Sequence, residues 1–174
     1  MSEELNTPNL LLRSWQENDA DVLYELCQDD AFEHSGLRVY PSPDACREAI
    51  VRMKAEPGSR AIVSRESGKV IGMIELADMN RYDGYMELEY AIEKDSRGRG
   101  YASEAVRCMV DYGFGELGLI VIAAWVRSHN LASCRVMEKC GFGFEGRLRK
   151  HARDGSDTLC YSILREEWEA RKKK

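Results

Sequence analysis

The spacing of apolar and polar residues along the first part of the chain predicts a strand followed by two helices. The run Leu10-Leu11-Leu12-Arg13 is typical of a short buried strand. Apolar residues recur at helical spacing between Asp19 and Cys27, which predicts the first helix. The pair Ser42-Pro43 marks the start of the second helix, because serine caps helices and proline suits the first helical position. Residues 28–41 between the two helices are predicted to be a loop.

Three further strands are predicted in the middle of the chain. Residues 61–63 and 70–74 flank Gly68 and predict a β-hairpin, in which the glycine supplies a positive φ angle. Residues 85–92 alternate in the manner of a half-buried strand. One face of this strand carries Tyr85, Glu87, Glu89 and Ala91, and the other carries Met86, Leu88, Tyr90 and Ile92.

The second half of the chain continues with a glycine-rich turn and then alternates helices with strands. A helix is predicted from about Ala102, and three glycines, Gly113, Gly115 and Gly118, are predicted to end it. The run from Leu119 to Val126 is apolar on both faces, which indicates a central strand with Trp125 in the core. The remaining predicted elements are a helix from about Asn130 to Cys140 capped by Gly141, and strands around Phe142 to Arg149 and Leu159 to Leu164 joined through Asp154-Gly155.

The predicted elements follow one another in the order β-α-α-β-β-β-α-β-α-β-β. This order predicts a mixed α/β fold, and neither an internal repeat nor a linker interrupts it. At 174 residues the chain is long enough to bury a core of its own. We therefore expect a single domain that spans residues 1–174.

Composition and charge narrow the classes of partner. The chain is 44% hydrophobic and 32% charged with a formal charge of −5, which argues against nucleic-acid binding. Its six cysteines form no Cys-x-x-Cys pair and its three histidines lack metal-ligand spacing, so we expect reduced thiols and no metal site. The acidic N-terminus is unlike a signal peptide, and the longest apolar run, residues 119–126, is too short to cross a bilayer. We expect a cytoplasmic protein without membrane contact.

The turn Arg97-Gly98-Arg99-Gly100-Tyr101-Ala102, between a predicted strand and a predicted helix, is a candidate anion site. Glycines let the backbone approach a phosphate closely, and the first amide groups of a helix point toward bound anions. The two arginines add positive charge, and Ser103 could cap the helix or donate its hydroxyl group to a phosphate. The alternative is a turn that only joins the two elements; the arginines count against it.

Two familiar phosphate-binding motifs do not match this turn. The P-loop string Gly-x-x-x-x-Gly-Lys-Ser/Thr is absent from the chain. The dinucleotide motif Gly-x-Gly-x-x-Gly would place its third glycine at Ser103, and the acidic residue expected about 20 positions later is also missing.

Two blocks of sequence carry a resemblance to one enzyme family. The string Arg97-x-x-Gly100-x-Ala102 resembles the acyl-CoA pyrophosphate motif of the GNAT superfamily of N-acyltransferases. The block from Asn130 to Phe142 resembles the family's Asn-x-x-Ser…Glu-Lys-x-Gly-Phe helix, in the version typical of ribosomal-protein N-terminal-alanine acetyltransferases. The segments 10–15 and 159–168 are similar to the same branch. The resemblance implies a single-domain fold with a mainly antiparallel sheet flanked by helices.

The resemblance also implies a donor, acetyl-CoA as acyl-donor co-substrate, and the residues that hold it. In this family the amides of the turn, here residues 99–103, hold the CoA pyrophosphate. The end of the preceding strand hydrogen-bonds the pantetheine through its backbone. Asn130 matches a CoA-contacting asparagine, although it could equally be a helix cap. The residues implied to bind the donor are Tyr90, Ala91, Ile92, Arg97, Gly98, Arg99, Gly100, Tyr101, Ala102, Ser103 and Asn130.

The chemistry implied by the resemblance is direct attack of a neutral amine on the thioester carbonyl. Glu87 is the candidate base, and repulsion from Glu89 on the same face would raise one of their pKa values; the alternative is that both face solvent. Ser133 matches a proposed general acid, although helix capping is as plausible for it. Met137 stands where many family members carry a tyrosine that acts as the general acid. A covalent route through Cys134 and His129 lacks a recognisable signature.

The acceptor is less well defined than the donor. The leading hypothesis is a primary amine, either the α-amine of a protein N-terminus or that of a small molecule. The alternatives are a polyamine, amino-acid or antibiotic acetyltransferase on the same fold, and a CoA-binding sensor without turnover. Specificity is expected in loops 28–41 and 150–157, and the protein is expected to be a monomer or a homodimer.

Overall fold

The computed structural model describes residues 4–30, 32 and 37–173. These residues form two compact units. One comprises the described residues up to Glu75 together with Glu89–Cys108. The other comprises Leu76–Leu88 together with the described residues from Met109 onward.

Antiparallel strands form the sheet of the first unit. They are β1 (Leu5–Asn6), β2 (Leu10–Arg13), β3 (Ser59–Ser64) and β4 (Val70–Ala77), the last of which continues two residues into the second unit. Each strand pairs with the next, as in the pairs Leu12 with Ile62 and Ala61 with Met73. The turn between β3 and β4 has Gly68 at a φ of 69°, which confirms the predicted hairpin.

Two helices pack on one face of this sheet, α1 (Ala20–Cys27) and α2 (Pro43–Met53). The Ser42 hydroxyl accepts a hydrogen bond from the Ala45 N–H at 3.2 Å, so the predicted cap is confirmed. The core between helices and sheet contains Trp15, Leu23, Phe32, Ile50 and Met73. The apolar residues that recur at helical spacing in both helices therefore face the core, as the sequence pattern predicted.

Strand β5 (Tyr85–Ile92) approaches β4 closely at its C-terminal end. A Cβ atom placed on Gly72 would overlap the carbonyl oxygen of Ala91. Just beyond, the N–H group of Glu93 donates a 2.8 Å hydrogen bond to the carbonyl oxygen of Ile71. Only glycine fits at residue 72, because the neighbouring atom is backbone and cannot move aside.

The second unit is built on three strands beside the N-terminal half of β5. These are β6 (Val121–Arg127), β7 (Gly143–Leu148) and β8 (Thr158–Leu164). Tyr85 to Glu87 run parallel to β6, whereas β6 with β8 and β8 with β7 are antiparallel. The strand order is β1-β2-β3-β4-β5-β6-β8-β7. The expected mixed, mainly antiparallel sheet is therefore confirmed.

Three further α-helices follow in the described part of the chain. They are α3 (Tyr101–Gly115), which begins in the first unit and ends in the second, α4 (Leu131–Cys140) and α5 (Arg165–Lys172). Gly141 ends α4 with a φ of 85°, as predicted for a left-handed cap. None of the helices in the described part of the chain combines the length and apolar composition that a membrane span requires.

Several expectations about local structure were wrong. Gly113 does not end α3 but lies inside it, where a Cβ atom would crowd Leu76, Leu119 and Ile122. Helix α5 and strand β1 were not predicted, since α5 has no buried residue and β1 has only two residues. Trp125 is 38% exposed rather than part of the core.

The predicted loop 28–41 falls partly outside the described residues, at 31 and 33–36. Within the described part, Asp30 and Phe32 are helical rather than loop, and Phe32 belongs to the core of the first unit. Residues 37–40 have no regular secondary structure, as predicted.

Replacing Gly72 by alanine should destabilise the fold through the contact with Ala91. We expect Gly72→Ala to lower the free energy of unfolding by about 2–4 kcal/mol, because strand backbones must separate to admit the methyl group. Urea denaturation followed by circular dichroism measures this. The control is Gly115→Ala at the end of α3, where a Cβ atom meets nothing within 4 Å. Equal stability of the two variants would contradict the assigned contact.

Candidate active site

The glycine-rich turn opens directly into the first turn of α3. A short 3-10 helix, Lys94–Ser96, leads into it from the end of β5. Gly98 and Gly100 have φ angles of 76° and 84°, and a Cβ atom on either would meet no atom within 4 Å. Backbone amides in such a conformation form a concave anion-binding surface, which the N-terminus of a 15-residue helix reinforces. The turn therefore fits a phosphate group.

Arg97 fastens the turn to its surroundings. Its Nε atom donates a 2.9 Å hydrogen bond to the carbonyl oxygen of Ile92, the last residue of β5. Its guanidinium group pairs with Asp29 and, at 3.0 Å, with Asp30. Two carboxylates thus surround this cation, so its visible role is to position the turn.

Arg99 is the more exposed of the two arginines in the turn. Its Nη1 atom lies 2.9 Å from a carboxylate oxygen of Glu66 and 3.3 Å from the hydroxyl oxygen of Tyr101. The Tyr101 side chain is buried at the start of α3. An exposed ion pair of this kind is weak, so a phosphate ligand could draw Arg99 away from Glu66.

Glu104 anchors the first turn of α3 to the connection between β1 and β2. Its carboxylate accepts hydrogen bonds from the Thr7 hydroxyl, at 2.5 Å, and from the backbone and side-chain N–H groups of Asn9, at 2.7 and 2.9 Å. Burial alone would raise the pKa of Glu104, but these hydrogen bonds outweigh it and lower the pKa below 4.5. The helix end that faces the turn is held in place by this carboxylate.

The other predicted donor-binding residues of the first unit lie just before and just after this turn in the sequence. Ala91 and Ile92 are buried at the end of β5, and Tyr90 beside them is half-buried. Ala102 and Ser103 are half-buried in the first turn of α3. The structure therefore gathers residues 90–92 and 97–103 in one unit, on a strand end, a turn and a helix start.

Glu87 is a buried carboxylate in the second unit. It is 7% exposed, so the alternative that it is a solvent-facing strand residue is wrong. Tyr85 Oη donates a 3.2 Å hydrogen bond to its Oε1 atom, and Arg81 Nε lies 3.8 Å from the same oxygen. Burial and the neighbouring Glu87 carboxylate raise the pKa of Tyr85. The phenol therefore stays protonated and continues to donate to Glu87 at neutral pH.

Asn130 and Ser133 lie at the start of α4 in the same unit. The Asn130 Oδ1 atom accepts a 3.1 Å hydrogen bond from the Ser133 N–H, so Asn130 is a helix cap. Met137, one turn later, is 1% exposed. Burial raises the pKa of Tyr161 to about 12, and a side-chain hydrogen bond with Cys134 of α4 adds to the increase.

Sequence patterns did not identify Tyr85 and Arg81 as neighbours of Glu87, or Trp125 as a neighbour of Arg81. The alternation of residues 85–92 had placed Tyr85 on the Glu87 face, so this partner could have been identified. Arg81 lies in the connection before β5, where no periodicity indicates a direction. Trp125 was predicted to lie in the core because residues 121–126 of β6 are all apolar.

Comparison with known proteins gives one consistent family. The family model described as "Acetyltransferase (GNAT) domain" matches residues 9–143. An N-acetyltransferase of Bacillus licheniformis named p20 is 28% identical over 175 residues, 95% of this chain and 98% of its own. YdaF of Bacillus subtilis, which carries the provisional name of a ribosomal N-acetyltransferase, is 32% identical over 142 residues, 75% of each chain.

Solved structures share the fold over most of the chain. A GNAT-family acetyltransferase from Bacillus anthracis has a TM-score of 0.83 and 25% identity, covering 95% of this chain and 100% of its own. A spermidine N-acetyltransferase from Vibrio cholerae, in complex with CoA and spermine, has a TM-score of 0.81 and 23% identity. It covers 93% of this chain and 99% of its own.

Removing the charge of Glu104 should destabilise the protein in a pH-dependent way. We expect Glu104→Gln to lower the free energy of unfolding by about 1–2 kcal/mol at pH 7. Because the pKa of Glu104 is lower in the folded state, its contribution is complete above pH 4.5 and is lost as the pH falls through the folded-state value. Urea denaturation between pH 7 and pH 3 should show the gap closing.

Glu48→Gln, at an exposed position of α2, is the control for this experiment. It should show no comparable gap at any pH. A Glu104→Gln gap that persisted unchanged to pH 3 would contradict the assigned role of the carboxylate.

Proposed function

Since the chain belongs to the acetyltransferase (GNAT) family and is an N-acetyltransferase, we propose that it transfers the acetyl group of acetyl-CoA to a primary amine by direct attack. The observation that carries the proposal is the turn at Gly98 and Gly100. Its positive φ angles leave open space beside backbone amides at the start of α3. That arrangement suits a diphosphate, which CoA contains.

The residues of the first unit are assigned to the donor. Backbone amides of residues 99–103 would hold the pyrophosphate, and Arg99 would exchange its exposed pairing with Glu66 for a phosphate oxygen. The backbone of Tyr90, Ala91 and Ile92 would hydrogen-bond the amides of the pantetheine. Arg97 would act through the position of the turn. Asn130 would present its Nδ2 group to the donor, while its Oδ1 atom caps α4.

Glu87 is assigned as the base that accepts the proton of the attacking amine. The amine nitrogen forms a bond to the acetyl carbon, the carbon–sulfur bond breaks, and the amine proton passes to Glu87 directly or through water. CoA leaves as a thiolate or takes a proton from Ser133 or from water. Deprotonation at pH 7 costs about 1–1.4 kcal/mol for an α-amine and about 4–5 kcal/mol for a lysine side chain. A carboxylate base is therefore sufficient for an α-amine.

Two acceptor classes fit this chemistry. The block from Asn130 to Phe142 resembles the branch that acetylates ribosomal-protein N-termini, which supports a protein α-amine. A solved structure with the same fold contains spermine, which supports a polyamine as the second candidate.

Changing Gly100 should weaken the donor site without unfolding the protein. We expect Gly100→Val to reduce CoA affinity by more than about tenfold, because a β-branched residue cannot hold the positive φ that aims the amides. Isothermal titration calorimetry with CoA measures this. Gly118→Val is the matched control, because Gly118 has a φ of 69° and equally open surroundings. Equal CoA affinity in both variants would remove the turn from the donor site.

Removing the carboxylate of Glu87 should slow high-pKa acceptors most. We expect Glu87→Gln to lower kcat/KM by about a hundredfold for a lysine-like amine and by about tenfold or less for an α-amine. Initial rates with acetyl-CoA and one acceptor of each type measure the difference. Glu116→Gln, at an exposed position of the same unit, should leave both rates unchanged.

The outcome also separates an enzyme from a sensor. Equal or absent effects of Glu87→Gln on both acceptors would exclude Glu87 as the base. CoA binding without turnover of any amine would favour the CoA-binding sensor instead.

A further inference from the structure

The positively charged side chain of Arg81 lies against aromatic rings beside Glu87. The guanidinium carbon of Arg81 is 5.3 Å from the centroid of the Tyr85 ring and 5.7 Å from that of Trp125. The Trp125 ring also contacts the imidazole ring of His151, with centroids 5.0 Å apart. We call Tyr85, Trp125 and His151 the aromatic surface. Aromatic faces attract cations electrostatically at these distances.

The strand register places this surface and Glu87 on one side of the sheet of the second unit. Glu87 pairs with Ala123, and residues two apart on a strand share a face. Tyr85 therefore points to the same side as Glu87, and Trp125 to the same side as Ala123. The opposite side of β6 carries Ile122, which packs close to Gly113 of α3. On the side of the sheet that carries Glu87 and the aromatic surface, Trp125 is 38% exposed.

Besides Arg81, and Arg127 paired with Asp154 at 3.2 Å, this side of the sheet carries two carboxylates. The first is Glu87. The second is Glu145, whose carboxylate accepts a hydrogen bond from the Ser162 hydroxyl group. Ser162 pairs with Ala123, and Cys160 pairs with Trp125, on the neighbouring strand β8. Burial and then both carboxylates raise the pKa of the Cys160 thiol, so both lie within electrostatic reach of this site. Aromatic faces together with carboxylates favour a cationic ligand.

Arg81 is held loosely at this position. Its side chain is 48% exposed, and its Nε atom lies 3.8 Å from Glu87, beyond hydrogen-bond distance. It also lies in the connection between β4 and β5, outside both strands. A long exposed side chain in such a connection can move away without disturbing strand pairing.

We propose that the aromatic surface beside Glu87 binds a cationic group of the acceptor, and that Arg81 occupies its place in the acceptor-free protein. The inference rests on the proposed function, because Glu87 is assigned there to the reacting amine. An acceptor with a second positive charge displaces Arg81 and places that charge over Trp125 and Tyr85. The enzyme therefore prefers acceptors that carry a cation besides the reacting amine.

Two sources can supply that second cation. One is an aliphatic diamine or polyamine, and the other is a lysine or arginine side chain close to a peptide N-terminus. Both present a flexible chain that ends in an ammonium or guanidinium group. The chemistry recognised by the aromatic surface is the same in both.

The experiment compares acceptors that differ only in the second charge. Putrescine is measured against butylamine, and a peptide with arginine after its N-terminal alanine against the same peptide with glutamine there. Acetylation rates give kcat and KM for each, and calorimetry in the presence of CoA gives binding without turnover. We expect the wild-type protein to prefer the dicationic member of at least one pair by about tenfold in KM.

Variants of the aromatic surface and of Arg81 test the two halves of the inference. Trp125→Leu should remove most of the preference, whereas Trp125→Phe keeps an aromatic face and should retain much of it. Arg81→Ala should improve binding of the dicationic acceptor by several fold, because no internal cation competes. The KM for acetyl-CoA is expected to stay the same in all three variants. If Trp125→Leu fails to fold, Trp125→Phe and Arg81→Ala still decide the question.

The possible results distinguish this inference from the proposed function. Dicationic ligands that bind in a Trp125-dependent way without being acetylated support the aromatic site and count against the proposed function. Acetylation of amines with no preference for the second charge overturns the aromatic site and leaves the proposed function intact. Weaker binding of dications by Arg81→Ala also overturns it, because Arg81 would then assist rather than compete. Preference in only one pair identifies the source of the cation.

Discussion

The close approach of β4 and β5 at Gly72 is the constraint on which the position of the glycine-rich turn depends. The absence of a side chain at Gly72 lets the backbone of Ala91 lie against it, and Glu93 then hydrogen-bonds to Ile71. The carbonyl oxygen of Ile92, one residue after Ala91, receives the guanidinium group of Arg97. The strand end is thus fixed by backbone contacts, and the Arg97 side chain, which also pairs with Asp29 and Asp30, ties the turn to it.

Charged groups around the turn divide into those that hold it and those that remain adjustable. Arg97 and Glu104 are engaged by several partners each, so both are positioning groups. Arg99 has a single exposed carboxylate partner and is the arginine that a phosphate can recruit. A count of positive charges along the motif would treat the two arginines alike. Their surroundings separate them.

The second unit shows a similar division between structure and chemistry. Met137 is a buried side chain of α4, and the Oδ1 atom of Asn130 caps the same helix. Glu87 is buried yet has only Tyr85 and an exposed arginine as its described partners. A buried carboxylate with so few partners is costly to maintain, which is characteristic of a functional site. The aromatic surface beside it extends that site toward cationic ligands.

Patterns of neighbouring residues determined most of the local structure. The Ser42-Pro43 cap, the Gly68 hairpin, the alternating strand 85–92 and the Gly141 cap follow from short-range rules, and so does the glycine-rich turn before α3. Contacts between elements that are distant in the sequence decided the remaining features. Helix α5 has no buried residue, Gly113 serves close packing inside α3, and Trp125 is exposed although it lies in an apolar run of β6. Each depends on which residues lie opposite across strands or helices, and periodicity along the chain carries no information about such long-range contacts.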